Sequence, residues 1–291
     1  MSTAASDILV SDRDFEYIRQ LIRERSGIVL GDEKRYLVES RLAPVVQTHD
    51  LASLGEFVRQ LRIRPFGSLH RQVVEAMTTN ETSFFRDRHP FEVLRKNILP
   101  ELIERRANVR QLRIWCAACS SGQEPYTIAM LLREHFPELA TWSVQLLGTD
   151  LDTAILTRAR EGRYSQLEVN RGLPAPFLVK FFEKTGSNWQ IKRSVRDMVQ
   201  MEQLNLTGAW PPMPAWDIVF MRNVLIYFGV DNKKLILGRV RQSMKSDGYL
   251  FLGGAETTMN LDLEFERAPL AKAGCYRLRA AGRSAHAVCE A

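Results

Sequence analysis

The chain has 291 residues, 45% hydrophobic and 25% charged, which is ordinary soluble-protein chemistry and enough for one large domain or two modest ones. No run approaches the ~18 apolar residues of a membrane span, and the N-terminus M-S-T-A-A-S-D lacks a signal peptide's charged and apolar regions, so a cytoplasmic location is expected. A net charge of +6 permits nucleic-acid or anionic-protein partners without choosing between them, and four cysteines in a chain this long make no disulfide framework.

Residues 1–78 predict a small all-α domain. Ser11 and Asp14 read as a helix start, followed by Phe15, Ile18, Leu21 and Ile22 on one face. Gly27 and Gly31 break the chain, and a second helix from Asp32 carries Leu37, Leu42 and Val45. Ser53 caps a third with Leu54, Phe57, Val58 and Leu61 inward. A fourth runs from Ser68 to Met77 with Leu69, Val73 and Met77 inward. Residues 1–80 hold 11 Lys+Arg and 11 Asp+Glu, yet the bases bunch at Lys34, Arg35, Arg41, Arg59, Arg62, Arg64 and Arg71. That bunching reads either as a solvated face or as a docking surface for an acidic partner. The polar run Thr78, Thr79, Asn80, Glu81, Thr82, then Ser83-Phe84-Phe85-Arg86, is a linker within 79–88, placed where it can lie as a lid over a pocket.

A basic helix from about His89 to Arg106 follows, with Pro100 kinking or restarting it. The stretch R-I-W-C-A-A-C-S-S-G-Q-E-P-Y, residues 113–126, then organises the rest. Arg113–Cys116 is a buried strand, Ala117–Gly122 a turn of small residues, and Glu124-Pro125 the start of a helix carrying Ile128, Ala129, Leu131 and Leu132. Strand, small-residue turn and helix start is how an open α/β sheet builds a nucleotide site. It is not the G-x-G-x-x-G fingerprint, and no G-K-[ST] is present to hold a triphosphate. Cys116 and Cys119 form a C-x-x-C, but no second pair or nearby histidine completes a zinc site; packing is expected, with no metal. Trp142 to Thr149 reads as a second buried strand ending at Asp150, whose two acceptor oxygens suit both hydroxyls of a ribose.

After the helix from Asp152 to Glu161, residues 165–207 break the alternating rhythm. Their aromatics Phe177, Phe181 and Phe182 and the short pieces W-Q-I-K-R and M-V-Q-M-E suggest a small antiparallel insertion at about 173–206. Asn205-Leu206 returns the chain to the sheet. Trp216–Phe220 is a buried strand leading into M-R-N-V-L-I-Y-F, residues 221–228; then come a helix from Asp231 to Met244 and a strand from Tyr249 to Leu252. A hairpin of Glu264–Arg267 and Cys275–Leu278 closes a domain spanning 89–280, and 281–291 reads as a tail.

Five motifs, T-T-N-E-T-S-F-F-R (78–86), W-C-A-A-C-S-S-G-Q-E-P-Y (115–126), G-T-D-L-D (148–152), N-L (205–206) and D-I-V-F-M-R-N-V-L-I-Y-F (217–228), resemble in sequence and order the CheR family of chemotaxis-receptor glutamate O-methyltransferases. The resemblance covers roughly residues 12 to 279. It implies an α/β class I S-adenosylmethionine-dependent methyltransferase, a Rossmann-like sheet with a small antiparallel β insertion, preceded by the all-α domain. It implies cofactor contacts at Asn80, Thr82, Arg86, Glu124, Asp150, Asn205, Leu206, Arg222 and Asn223. Asp150 would hold the ribose hydroxyls, Asn205 and Leu206 lie by the adenine, and Glu124 face the positively charged methionine end. Arg86 and Tyr227 match the groups that the family places by the transferring methyl. The implied substrates are glutamates in the cytoplasmic helical region of methyl-accepting chemoreceptors, with the enzyme a monomer that inserts in no membrane.

A glutamate carboxyl has a pKa near ~4.3 and is already an anionic nucleophile, so no general base is required. Two departures from the family stand out. The second helix continues past Arg41 as Leu42-Ala43-Pro44-Val45-Val46, where many relatives carry further arginines toward the receptor; Arg59, Arg62 and Arg64 are the candidates to replace them. The insertion's turn Gly186-Ser187-Asn188 is short, resembling members that need no receptor pentapeptide tether. Two rival readings differ in kind. A nucleic-acid methyltransferase acting on base amino groups would carry [ND]-P-P-[YF], which M-R-N-V-L-I-Y-F lacks. A non-catalytic module sensing S-adenosylmethionine or S-adenosylhomocysteine would not need Arg86 and Tyr227.

Overall fold

The computed structural model describes residues 10–270 and 274–279; the tail expected at 281–291 lies outside them. Four helices, α1 (Asp12–Ser26), α2 (Arg35–Thr48), α3 (Leu54–Ile63) and α4 (Ser68–Ala76), form the N-terminal domain. Ser11 Oγ accepts from Asp14 N and Ser53 Oγ from Glu56 N, so both expected caps close. Phe15, Ile18, Leu42, Phe57, Val58 and Val73 fill its core. On α2 the fully buried face is Val38, Leu42 and Val46, one position on from the expected Leu37 and Val45, which flank it half-buried. The helix runs through Pro44, which sits on its exposed side.

α5 (His89–Val93), a π-turn at Leu94–Ile98 and α6 (Leu99–Arg106) follow as one helical run. The π-turn falls just before Pro100, whose missing N–H it accommodates. The chain then alternates through β1 (Gln111–Ala117), α7 (Gln123–His135), β2 (Ser143–Asp150) and α8 (Thr153–Glu161). Next come β3 (Arg163–Ser165), α9 (Gln166–Asn170), α10 (Ala175–Phe181), β4 (Phe182–Thr185), β5 (Asn188–Ile191) and α11 (Arg193–Arg196). The last elements are β6 (Val199–Gln203), β7 (Trp216–Met221), α12 (Val230–Ser243), β8 (Met244–Leu252), β9 (Phe265–Arg267) and β10 (Cys275–Leu278).

The main sheet has the order β6-β2-β1-β7-β8-β10-β9, parallel except where β10 pairs with β8 and β9. Leu112, Ile114 and Cys116 of β1 alternate with Trp115 and Ala117, and the two sets enter separate cores. The first core lies under α5–α8; the second lies under α12 and the stretch from Leu204 to Met213. Strand order reverses between β1 and β7, which opens a crevice at the carboxyl ends of the strands. At the opposite end, fully buried Asp217 accepts from Arg106 Nε, Lys245 Nζ and Arg113 N, each at 2.9 Å, and pins the sheet to α6.

One expected element is placed differently. The piece M-V-Q-M-E is β6, paired parallel to β2 at the edge of the main sheet, rather than part of the insertion. The small antiparallel sheet is β3-β5-β4, so it recruits residues from 163 onward, before the expected boundary. Among the described residues no helix is long and apolar enough to cross a membrane.

The N-terminal domain is fastened to the sheet domain at the crevice. Ile28 bridges Phe228 and Val29 N donates to Tyr227 O at 2.9 Å. Arg41, expected among the docking bases, instead turns to the linker, donating to Met77 O (3.0 Å), Thr78 O (2.8 Å) and Thr79 Oγ1 (3.1 Å). Arg35 and Arg62 are likewise held within the domain, by Val10 O and Asp12 and by Arg13 O and Asp14. Arg59, Arg64 and Arg71 remain exposed. Replacing Arg41 with alanine is expected to speed amide exchange at residues 78–82 at least tenfold. Global stability should fall by only about 1.5–3 kcal/mol, the range for a hydrogen bond to a charged group, as read by hydrogen exchange and urea denaturation.

Candidate functional site

The crevice is a cleft that all ten residues singled out in the sequence line: Asn80, Thr82, Arg86, Glu124, Asp150, Asn205, Leu206, Arg222, Asn223 and Tyr227. Its floor is the turn after β1. Ala118 (φ 54°), Ser120 (φ 51°) and Gly122 (φ 90°) are all left-handed there, which lifts successive backbone groups toward the cleft. Gly122 is required at its position, because a Cβ would lie 3.1–3.2 Å from Tyr126, Ala159 and Met201. Ala118 and Ser120 hold a conformation that L-residues avoid, and hydrogen bonds hold them in it. Cys119 N donates to Thr149 O (2.8 Å), Ser120 N to Asp150 Oδ2 (2.8 Å), and Ser120 Oγ to Asn80 O (2.9 Å). Cys116 and Cys119 are buried packing residues beneath this turn.

Asp150 ends β2 with both oxygens occupied once, Oδ2 by Ser120 N and Oδ1 by Asp152 N at 3.1 Å. A carboxylate offers about four acceptor sites, so two remain for a ligand. Burial pushes its carboxyl pKa up, while the N–H groups of Asp152 and Ser120 pull it down. Asp152 caps α8 through Oδ1 and accepts Asn80 Nδ2 at 2.8 Å through Oδ2, so the linker is tied to the end of the second strand. The linker's aromatics fix it further: Phe84 lies edge-on to Tyr164 and Phe182, and Phe85 edge-on to Phe91 and Phe177. Polar residues 78–82 thus lie across the cleft as a strap anchored at both ends.

Arg222, at the end of β7, is 1% exposed in its side chain. Its Nη1 donates to Glu124 Oε2 (2.9 Å), and its Nη2 to Arg86 O (2.9 Å) and Asp87 Oδ2 (2.6 Å). The guanidinium thereby joins the start of α7 to a segment in which Phe85, Asp87 and Arg88 all have positive φ. The Glu124 side chain is 13% exposed, and burial raises its pKa against the downward pull of Arg222. Two buried polar atoms at this end, Arg222 Nε and Asn223 Oδ1, have no partner among the described residues. Arg86 itself anchors one guanidinium nitrogen on Glu81 O at 2.8 Å.

At the other end, Leu204, Leu206, Val224 and Phe228 make an apolar shelf that Ile28 completes from the N-terminal domain. Asn205 donates its amide to Arg25 O (2.6 Å) and accepts Thr207 N (3.0 Å), so its side chain is a clasp between the domains. The sequence reading did not find Ser26 and Ile28 as lining residues, nor Glu256, which accepts the N–H groups of Asn223, Val224 and Leu225. The only sequence signal for the first two was Gly27, taken merely as a helix end. The cleft thus has acceptors for a pair of hydroxyls, an apolar shelf for a planar group and a charged polar end. Among the described residues no group of His, Cys, Asp or Glu forms a metal site.

A model of the CheR methyltransferase SAM binding domain matches residues 80–273, and one of the CheR methyltransferase all-alpha domain matches residues 13–78. Chemotaxis protein methyltransferase 1 of Pseudomonas aeruginosa is 41% identical over 274 residues, 92% of this chain and 99% of its own. Chemotaxis protein methyltransferase Cher2 of Pseudomonas putida is 43% identical over 253 residues, 85% and 91% of the two chains. Chemotaxis protein methyltransferase of Vibrio parahaemolyticus is 39% identical over 276 residues, 94% and 99%.

Removing the Arg222 charge, as in Arg222→Met, leaves Glu124 buried without its cation, at an expected cost of about 3–5 kcal/mol near pH 8. The Glu124 pKa is raised in the fold, so the folded state binds more protons than the unfolded one between the ordinary carboxyl range and that raised value. Stability therefore falls as pH rises through this window, and the variant, with the pKa raised further, should lose less at pH 5.5 than at pH 8. Urea denaturation at the two pH values checks the sign.

Proposed function

The chain belongs to the CheR methyltransferase family, and from that premise we propose that it uses S-adenosylmethionine to esterify glutamate side chains in the cytoplasmic helical region of methyl-accepting chemoreceptors. It does so in the cytoplasm, as a monomer, without entering the bilayer. The observation that carries this reading is the presence of Asp150, Glu124, Arg86 and Tyr227 around one cleft, with no histidine among the described residues that line it. A ribose acceptor, an anion for a cationic centre and a carboxylate-binding guanidinium are there, and a general base is not needed.

The cofactor's parts fit the lining. Asp150 has two open acceptor sites for the ribose hydroxyls, and Leu204 and Leu206 flank the adenine. Asn223 Oδ1 and Arg222 Nε, unpaired among the described residues, meet the amino-acid end, with Glu124 as the nearby anion. When bound, the cofactor supplies a methyl on a sulfonium, which needs no further activation. The protein's work is alignment and exclusion of water. Arg86, half-buried at the mouth, orients the incoming carboxylate; a tight bidentate pair would also weaken that nucleophile, so its role is positioning. Tyr227 lines the same cleft, its backbone held by Val29 N, and packs by the methyl or donates its hydroxyl. The strap at 78–82 and Ile28 close the cleft on two sides.

Membranes carrying candidate chemoreceptors, incubated with S-adenosylmethionine labelled in the methyl group, should acquire label on receptor bands that mild alkali removes. Tight cofactor binding without any transfer would instead establish a sensor module. Asp150→Ala should weaken cofactor binding by at least about 100-fold, because hydrogen bonds to a charged group contribute roughly 1.5–3 kcal/mol each. Arg86→Ala should lower turnover about 10²- to 10³-fold with cofactor affinity within about threefold. Calorimetry and initial rates read the two effects separately.

A further inference from the structure

We infer that Glu256 is a positioning residue for methyl transfer, acting through Tyr227. Glu256 sits in the loop after β8, thirty-odd residues from the segment it controls, and is buried. Its Oε2 accepts Asn223 N (2.7 Å) and Gly253 N (2.6 Å); its Oε1 accepts Val224 N (2.8 Å) and Leu225 N (2.7 Å). Three of these donors are consecutive: Asn223 N precedes the 3₁₀ turn Leu225–Tyr227, and Val224 N and Leu225 N are free N–H groups at its start. The fourth belongs to the end of the neighbouring strand. One carboxylate therefore clamps the carboxyl ends of β7 and β8 together and sets where the turn begins.

The chemistry requires a carboxylate. Each oxygen faces two N–H donors, so a glutamine amide would satisfy one pair and present its own N–H₂ to the other. Among the described residues Glu256 makes no ion pair; the N–H dipoles at the start of the turn face its charge instead. The clamp also acts on a residue in a sparsely populated conformation, since Asn223 has φ 58°. Asn223 lies between Arg222, which holds the main chain of Arg86, and the turn that presents Tyr227. Moving the clamp thus moves the tyrosine relative to the arginine without touching either side chain.

This inference rests on the methyl-transfer reading, and the experiment separates the two. Transfer rates are measured for the wild type, Glu256→Gln, Tyr227→Phe and the double variant, with cofactor affinity measured by calorimetry on each. Glu256→Gln should lower the saturated rate about thirtyfold in the wild-type background. In the Tyr227→Phe background the loss should shrink to about threefold or less, the coupling expected of residues acting as a unit. A purely structural role would lower the melting temperature but give additive losses. An active wild type with an equally active Glu256→Gln, or losses that add, would overturn this inference alone. A wild type that binds cofactor but transfers nothing would overturn the reading beneath it.

Should Glu256→Gln fail to fold, Gly253→Ala probes the same clamp with the carboxylate kept. Its Cβ would stand 2.6 Å from Asn223 Nδ2 and 2.8 Å from Glu256 Oε2, wedging the two apart. The same coupled loss of rate is expected, and an unchanged rate would refute the clamp.

Discussion

The site depends on one buried cation. Arg222 is the point at which three distant pieces of chain, the end of β7, the start of α7 and the segment at Arg86 and Asp87, acquire fixed relative positions. A guanidinium suits this task because its planar fork offers several donors in set directions and never deprotonates. Burying it carries a desolvation cost that only good geometry offsets, and here two carboxylates and a main-chain carbonyl supply that geometry. The strained backbone at Phe85, Asp87 and Arg88 is held in place by the same bonds. Arg222 is thus the scaffold of the segment that carries Arg86.

The helical domain takes part in the site rather than merely adjoining it. Its first helix ends at Gly27 with φ 75°, and a Cβ there would meet Thr207 at 2.5 Å and Asn232 at 2.7 Å. Only a glycine lets the chain turn so close to the sheet domain, and the next residue, Ile28, then forms part of the apolar shelf. Asn205 and Tyr227, both lining the cleft, each bond to this same turn, through Arg25 O and Val29 N. Arg41 fixes the linker from the helical side. A force on the helical domain therefore reaches two lining residues of the cleft and the strap across it.

Much of this was legible in the sequence, for identifiable reasons. The runs Arg113–Cys116 and Trp216–Phe220 are buried on both faces, and such central parallel strands read as continuous apolar stretches. The place of Asp150 was legible because the run V-Q-L-L-G-T before it marks where the second strand ends. β6 was misplaced because it is an edge strand: M-V-Q-M-E alternates in burial, as a strand of a small antiparallel sheet also would. The arginines of the helical domain were read as surface because sequence spacing reports the side of a helix, not the length of an arginine reaching back to a carbonyl. Glu256 left no local signal at all, since its four donors come from two strand ends that only the finished sheet brings together.

The turn after β1 shows what replaces a glycine-rich loop. Ala118 and Ser120 sit at left-handed φ at a cost of roughly 1–2 kcal/mol each, which glycines at these two positions would largely have removed. The compensation is a set of hydrogen bonds in which Asp150 and Asn80 both take part. The carboxylate proposed to take a ribose is therefore also the group that shapes the turn beneath it, and the strap residue Asn80 is bound to that turn through Ser120 and to Asp152 two residues on. A glycine loop would be flexible until filled, whereas this one is shaped before any ligand arrives. Preorganisation of this kind lowers the ordering cost of binding. It also means that a substitution at Asp150 loosens the floor of the cleft as well as removing the proposed ribose acceptor.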